Sequence, residues 1–397
     1  MSAATHETMV YLASHPFAFG FAEATRRMGD VVRIPGLGWV VNRPEVAREI
    51  LLDHEHFSKS GPGSFGVLIT QVMGESALLN MEGEAHRHLR ERLKDLFAPA
   101  YLETIARDVL AAPLAEQKER LAGGQTIDLV RFMRLLTGRT TFHMLGLPAP
   151  AHGADDAYLD VFAMSGRLSE SIGLATKRLT PSQVAAAKVP FERMTAAVAG
   201  AYQGDELPGS SVLARVKQLG LTAEEARGVI GMLLVVGTET LTTAVPRAVA
   251  LLVDSGQQRD LRREPKLMQP AIDEALRFVV PSPVMLRSVV SEVTISGHRF
   301  SAGGRVMLFT YNLFKHPDLY PKPRQFDIHR NQPACARNIW FGAGPHFCLG
   351  FGLAQLEMRM VLASLMSLPR ELEVVRRAYG WGMFIPGYAR LDVRLAQ

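Results

Sequence analysis

Between Phe341 and Gly350 the chain reads Phe-Gly-Ala-Gly-Pro-His-Phe-Cys-Leu-Gly, one cysteine set among glycines and apolar residues. A helical pattern, Leu353-Ala354-Gln355-Leu356-Glu357, follows at once. Glycines let the backbone turn tightly and let a flat ligand approach without a Cβ in the way. A cysteine just ahead of a helix start meets unpaired N–H groups and the positive end of the helix dipole, so a thiolate is expected at Cys348. The other cysteine, Cys335, is thirteen residues away (348 − 335), too far for a C-x-x-C motif. A single presented thiolate suits one axial metal bond better than a tetrahedral zinc cage.

Three further patterns occur in order with this loop. His86-Arg87-His88-Leu89-Arg90 places His86 and Arg90 on one helix face. A long apolar helix opening at Thr222, with Thr222 and Glu225 in capping-box spacing, contains Val236-Gly237-Thr238-Glu239-Thr240. An acid and a threonine inside an apolar helix need a partner or a purpose; helix back-bonding by Thr240 and an arginine partner for Glu239 would also satisfy them. Glu274-Ala275-Leu276-Arg277 sets a carboxylate and a guanidinium three apart, within pairing distance.

The spacing F-x-x-G-x-[HR]-x-C-x-G resembles the cysteine-ligand loop of the cytochrome P-450 family, and Leu353–Arg359 matches the L-A-x-L-E-x-R run that follows it. The other three patterns are similar to that family's C helix, oxygen-side helix and K helix. The resemblance runs from His86 to Gly350 and, with the strand patterns near Val31 and Val393, over nearly the whole chain. It implies a mainly α fold with a smaller β part, one triangular domain over residues 1–397. It implies haem b (iron-protoporphyrin IX) with Cys348 as metal ligand, held also by the loop residues Phe341 and Gly350. His86, Arg90, Arg287 and His346 are then the expected donors to the haem propionates. Gly237 would leave room for dioxygen, Thr240 would hold a water chain, and Glu239 would relay protons. Glu274–Arg277 would be structural.

The chain departs from the family pattern in three places. Val236 stands for the usual Ala or Gly and should narrow the pocket. Pro246 should kink or interrupt the oxygen-side helix, since it has no N–H for the Thr242 carbonyl. Gln325 stands where the family often has the arginine that joins Glu274 and Arg277, with Arg324 one residue early and Arg330 beyond.

The implied activity is monooxygenation, of hydroxylase or epoxidase type, on a mid-sized hydrophobic substrate. No flavin or nicotinamide fingerprint occurs, so electrons would come from NAD(P)H through a separate ferredoxin and its reductase. The alternatives are a peroxide-driven peroxygenase and a non-catalytic haem-binding sensor or carrier; Glu239-Thr240 speaks against the former. By family position the pocket draws on Ser64–Val72, Met164–Leu174, Leu233–Val236, Val284-Met285 and Met383–Ile385.

Composition narrows the setting. Of 397 residues, 44 are Lys or Arg and 39 Asp or Glu, a net charge of +5, with no basic run carrying interleaved aromatics. Nucleic acid is not expected as a partner, while an acidic redox protein would suit the excess. Hydrophobic content of 47% supports a large core. Two cysteines imply no disulfide framework. Met1–Phe19 has no long apolar run, so a cytoplasmic protein without a membrane anchor is expected, and a monomer is expected as well.

Local patterns predict a hairpin at Val31–Pro35 and Trp39–Val41 and a helix after Pro44. Ser58–Asn80 reads as a long loop with at most short helices. Helices dominate from Glu84 to Val253, with breaks near 122–124, 147–154, 204–209 and 219–221. Short strands over Leu286–Ile295 and Arg299–Leu308, an irregular Pro317–Pro333 stretch and a β-hairpin in Glu371–Gln397 complete the expectation.

Overall fold

The computed structural model of the chain describes residues 1–150, 155–170, 176, 178–204 and 207–397. The expected breaks at 147–154 and 204–209, and the 171–174 part of the expected pocket wall, lie partly or wholly outside the described residues.

In chain order the helices are α1 (Ala3–Ser14), α2 (Pro16–Met28), α3 (Pro44–Leu52), α4 (Phe65–Met73), α5 (Gly83–Leu93), α6 (Pro99–Ile105), α7 (Ala111–Ala122), α8 (Leu129–Leu145) and α9 (Asp155–Glu170). There follow α10 (Pro181–Met194), α11 (Ala196–Gln203), α12 (Val212–Gln218), α13 (Ala223–Asp254), α14 (Gln258–Arg263), α15 (Met268–Val279), α16 (Thr310–Leu313) and α17 (Phe351–Met366). The strands are β1 (Val31–Ile34), β2 (Gly38–Val41), β3 (Phe57–Ser58), β4 (Ile127–Asp128), β5 (Val284–Val289), β6 (Val293–Ile295), β7 (His298–Phe300), β8 (Arg305–Phe309), β9 (Leu372–Tyr379) and β10 (Tyr388–Leu395).

Local chemistry accounts for many of these ends. Pro16, Pro44, Pro99 and Pro181 open helices, where the missing N–H costs nothing. Thr222 and Glu225 form the expected capping box of α13. The Asp128 carboxylate caps α8, which Gly146 closes in a left-handed conformation. The helices α1 and α2 were not foreseen in the sequence.

The first sheet has the order β1-β2-β8-β5-β3, parallel between β2 and β8 and antiparallel elsewhere. A second joins β4, β10 and β9, and β6 pairs with β7. Helix α13 runs through the interior against α8 and α15. It is long and apolar enough to cross a membrane, but 67% of its most apolar window is buried within the protein, as in a core helix.

Pro246 does not interrupt α13, so the interruption that the sequence allowed does not occur. One backbone bond is lost, but Leu241–Leu252 are all buried, and this packing outweighs the local preference.

Glu274 and Arg277 on α15 are fully buried and pair twice, Nε–Oε2 at 2.7 Å and Nη2–Oε1 at 2.8 Å. Arg277 also donates to the carbonyls of Phe314 (2.7 Å), Pro323 (2.9 Å) and Gln325 (3.3 Å). Glu274 accepts from Asp327 N–H (3.0 Å), Gln332 Nε2 (2.9 Å) and Arg330 Nε (3.3 Å). Arg330 is therefore the arginine that completes the network, and Gln325 serves through its backbone. Arg324 pairs instead with Glu23 at 2.8 Å. Such a buried pair is stable only with its remaining lone pairs and protons satisfied, and here the irregular 314–332 segment satisfies them. That segment leads into the cysteine loop.

Candidate active site

The loop from Phe341 to Gly350 is a closed turn. Cys348 N–H donates to Phe341 O at 2.9 Å, and Gly342 and Gly344 adopt φ of 81° and 65°. A Cβ on Gly344 would sit 2.7 Å from Leu51 O, so α3 presses on the loop where only glycine fits. Gly350 is the N-cap of α17, and Phe351 packs edge-on against Phe341 at 5.0 Å. Cys348 thus lies two residues before the cap of a sixteen-residue helix.

The thiol does not follow the sequence expectation. Burial pushes the Cys348 thiol up from its ordinary value and outweighs the opposing pull of the Gly350 N–H, Arg90 and Lys59. A buried sulfur of this kind is held as thiolate by a bound cation rather than by the helix end alone.

The residues expected to act in catalysis or to hold the haem all line one cavity of about 730 Å³: His86, Arg90, Gly237, Glu239, Thr240, Arg287, and Phe341, His346, Cys348 and Gly350 of the loop. Phe65, Ile69, Leu233, Val236, Met285 and Ile385 add an apolar wall drawn from each of the expected pocket segments but one. From that one, the expected Met164–Leu174, the cavity takes Gly166 and Leu168.

One corner of the cavity is basic. His86 is buried and stacks on His346, ring centroids 4.4 Å apart, while Arg87 and His88 of the same helix are exposed. Arg90 donates to Phe347 O. Arg287, on β5, donates to Leu286 O at 2.8 Å, and burial lowers its pKa to about 10. Burial, then Arg90 and Lys59, lower His86 to about 4, so it is a neutral donor near pH 7. Lys59 joins this corner unforeseen: burial, with Arg287 next, pulls it well below the usual ammonium range. In the sequence it is a lone lysine in a Gly/Ser-rich loop, with no spacing to mark it.

Among the described residues, no carboxylate forms an ion pair with Lys59, Arg90 or Arg287. Glu82, the carboxylate beside them, already accepts from Ser58 Oγ (2.6 Å), Lys59 N–H (2.5 Å) and Ser60 Oγ. Buried basic groups without counter-charges are costly, and a ligand bearing carboxylates would relieve that cost. A flat group with two carboxylates and a metal that takes one sulfur fits this donor set.

On α13, Thr240 Oγ1 donates to Val236 O at 3.2 Å, which leaves its lone pairs free. Gly237 is not imposed by packing, since an added Cβ would meet Thr141 at an ordinary 3.7 Å. Burial raises the Glu239 carboxyl above its usual range, tempered by the Arg134 charge on α8. Arg134 was not legible in the sequence as the charge beside Glu239, because it comes from another helix.

A family model described as cytochrome P-450 matches residues 210–368. Cytochrome P-450 109 of Bacillus spizizenii is 28% identical over 330 residues, 80% of this chain and 79% of that protein. A C-19 steroid 1alpha-hydroxylase of Sorangium cellulosum is 28% identical over 306 residues, 74% of this chain and 75% of its own. In fold, the chain is similar to a mutant of EryK in complex with erythromycin B, with a TM-score of 0.80, 22% identity, and coverage of 100% of this chain and 98% of that one.

Proposed function

Because this chain belongs to the cytochrome P-450 family and is a monooxygenase of the oxidoreductase class, we propose that it binds haem b through Cys348 and oxidises a mid-sized hydrophobic molecule. The observation that carries the reading is the single cavity shared by the cysteine loop, the basic corner and the Gly237–Thr240 segment. When bound, haem supplies dioxygen activation and one-electron chemistry that no side chain can.

The chain's own residues do the rest. Cys348 would give the iron its sulfur ligand, and Phe341 and Gly350 would shape the loop around it. Arg90, Arg287, Lys59, His86 and His346 would take the two propionates, the arginines as forked donors and the neutral histidines through single N–H groups. The raised Glu239 carboxyl can hold a proton to higher pH than a solvated carboxyl and hand it on; Thr240, with lone pairs free, can accept from and orient a water beside it. Val236 narrows the space next to this pair.

The apolar wall supports a hydrophobic substrate with few fixed polar contacts. A steroid hydroxylase among the relatives is compatible with that class. Without a flavin or nicotinamide fingerprint, electrons would arrive from NAD(P)H through a ferredoxin and its reductase, and the net charge of +5 suits an acidic donor. The reading takes residues 1–397 as one domain acting in the cytoplasm as a monomer.

The test is reconstituted turnover with ferredoxin, reductase and dioxygen on a panel of steroids and fatty acids. Product formation dependent on ferredoxin, and lowered by Thr240→Ala, is the expected result. Equal turnover from peroxide alone, indifferent to Thr240→Ala, would refute it.

A further inference from the structure

The turn between β9 and β10 contributes Met383, Phe384 and Ile385 to the cavity wall. One bond of its own closes it, Gly380 N–H to Gly387 O at 2.9 Å. Its further polar ties run to the N-terminal end of the chain. Gly382 N–H donates to Ala13 O at 3.3 Å, Ser14 Oγ to Gly380 O at 3.0 Å, and His15 Nε2 to Phe384 O at 2.9 Å.

A buried guanidinium reinforces this attachment. Arg247 on α13 donates from Nη1 to Pro386 O (2.9 Å) and to Val279 O (2.7 Å) at the end of α15. Its Nε and Nη2 meet the Glu7 carboxylate of α1, the latter at 2.5 Å, with Arg247 0% and Glu7 4% exposed. The Tyr11 ring lies 5.1 Å from the guanidinium, and its hydroxyl approaches Phe278 O and Val279 O at 3.4 Å. Residue 279 ends the helix that leads into β5, where Val284 and Met285 enter the cavity. Two segments of the wall, far apart in sequence, are therefore referred to one helix.

Met383 is seated just as closely. A Cβ on Gly380 would fall 1.9 Å from its Sδ, and one on Gly387 would meet Thr243 Cγ2 of α13 at 2.9 Å and Met383 Cε at 3.6 Å. The two glycines leave a slot for the methionine against α13, one turn beyond Thr240. The slot keeps its shape only while the turn stays where it is.

We propose that α1 is a positioning element of the substrate cavity: Glu7, Ser14 and His15 fix the Gly380–Pro386 turn and so set the place of Met383 in its wall. The inference rests on the monooxygenase reading for the identity of the cavity as the substrate site, and on geometry alone for the clamp.

The experiment compares the haem-loaded full-length protein with a Ser14→Ala/His15→Ala double variant and with Glu7→Gln. Amide hydrogen exchange across 380–386 reads the clamp. Titration with imidazole, which is small, and with 4-phenylimidazole, which reaches the wall, reads the cavity. In the double variant, exchange in the turn should quicken about tenfold, as the loss of two modest hydrogen bonds implies. 4-Phenylimidazole should bind roughly fivefold more weakly and imidazole as before, since a displaced wall spoils the larger ligand's contacts. Glu7→Gln should show the same pattern more strongly; if it does not fold, the double variant decides. Unchanged exchange, or equal weakening of both probes, would overturn the proposal. If the wild type lacks a thiolate-type carbon-monoxide band, the haem-thiolate reading fails instead, and exchange still decides the clamp.

Discussion

Replacing Glu357 by glutamine should remove a pH dependence built into the core. Glu357 lies on α17, fully buried, with Oε2 accepting from Thr137 Oγ1 at 3.4 Å and Oε1 without a partner among the described residues. Burial, only partly offset by the nearby Thr140 and Thr137 hydroxyls, pushes its carboxyl from the ordinary 4.5 up to about 7. The unfolded chain releases this proton as pH rises through the ordinary value, while the folded protein keeps it until about 7. Over that window the folded state binds more protons, so stability falls as pH rises. A displacement of that size amounts to about 3 kcal/mol at saturation, and to about 2 kcal/mol between about pH 5 and about pH 8. Glutamine has no proton to lose and nearly the same shape. Urea unfolding of both proteins at the two pH values isolates the difference, because every other titrating group is common to them. The wild type should lose about 2 kcal/mol more than Glu357→Gln on going to the higher pH. If the two lose stability in parallel, Glu357 is not held as an acid and the burial argument is wrong.

Three further outcomes are expected. Arg330→Ala removes a buried partner of Glu274 and should lower stability by about 1–3 kcal/mol, whereas Arg324→Ala, in a pair with an exposed arginine, should cost less than about 1 kcal/mol by urea unfolding. Gly344→Ala should cost about 1–3 kcal/mol, from its φ of 65° and the clash with Leu51 O, and should weaken haem retention in a gel-filtration assay. Arg134→Gln removes a positive charge that lowers the Glu239 carboxyl, so the limb that Glu239 sets in the turnover–pH profile should move to higher pH; a profile that stays put counts against that coupling.

The parts of the site that could be read from the sequence are those carried by short spacings. Cys348 among its glycines, His86 with Arg90, and Glu274 with Arg277 each fall within one turn or one loop, and the backbone period fixes their relation. What could not be read depends on distant partners. Nothing near Glu7 announces that its carboxylate meets Arg247, and nothing in Ser58–Asn80 marks Lys59 as the cation that turns inward. The choice of Arg330 over Arg324 follows from the path of the 314–332 segment, not from its residue pattern. Pro246 shows the converse, a strong local signal overruled by burial on both sides. The expectation of a thiolate at Cys348 was drawn from the helix end alone and omitted the desolvation that the loop imposes.

The central claim is that Cys348 is the sulfur ligand of a bound haem. The most direct measurement is the absorption spectrum of the reduced carbon-monoxide complex of the wild type, Cys348→Ser and Cys335→Ser. A thiolate-type band in the wild type and in Cys335→Ser, absent from Cys348→Ser, is the predicted result. A thiolate-type band that survives in Cys348→Ser would contradict the account.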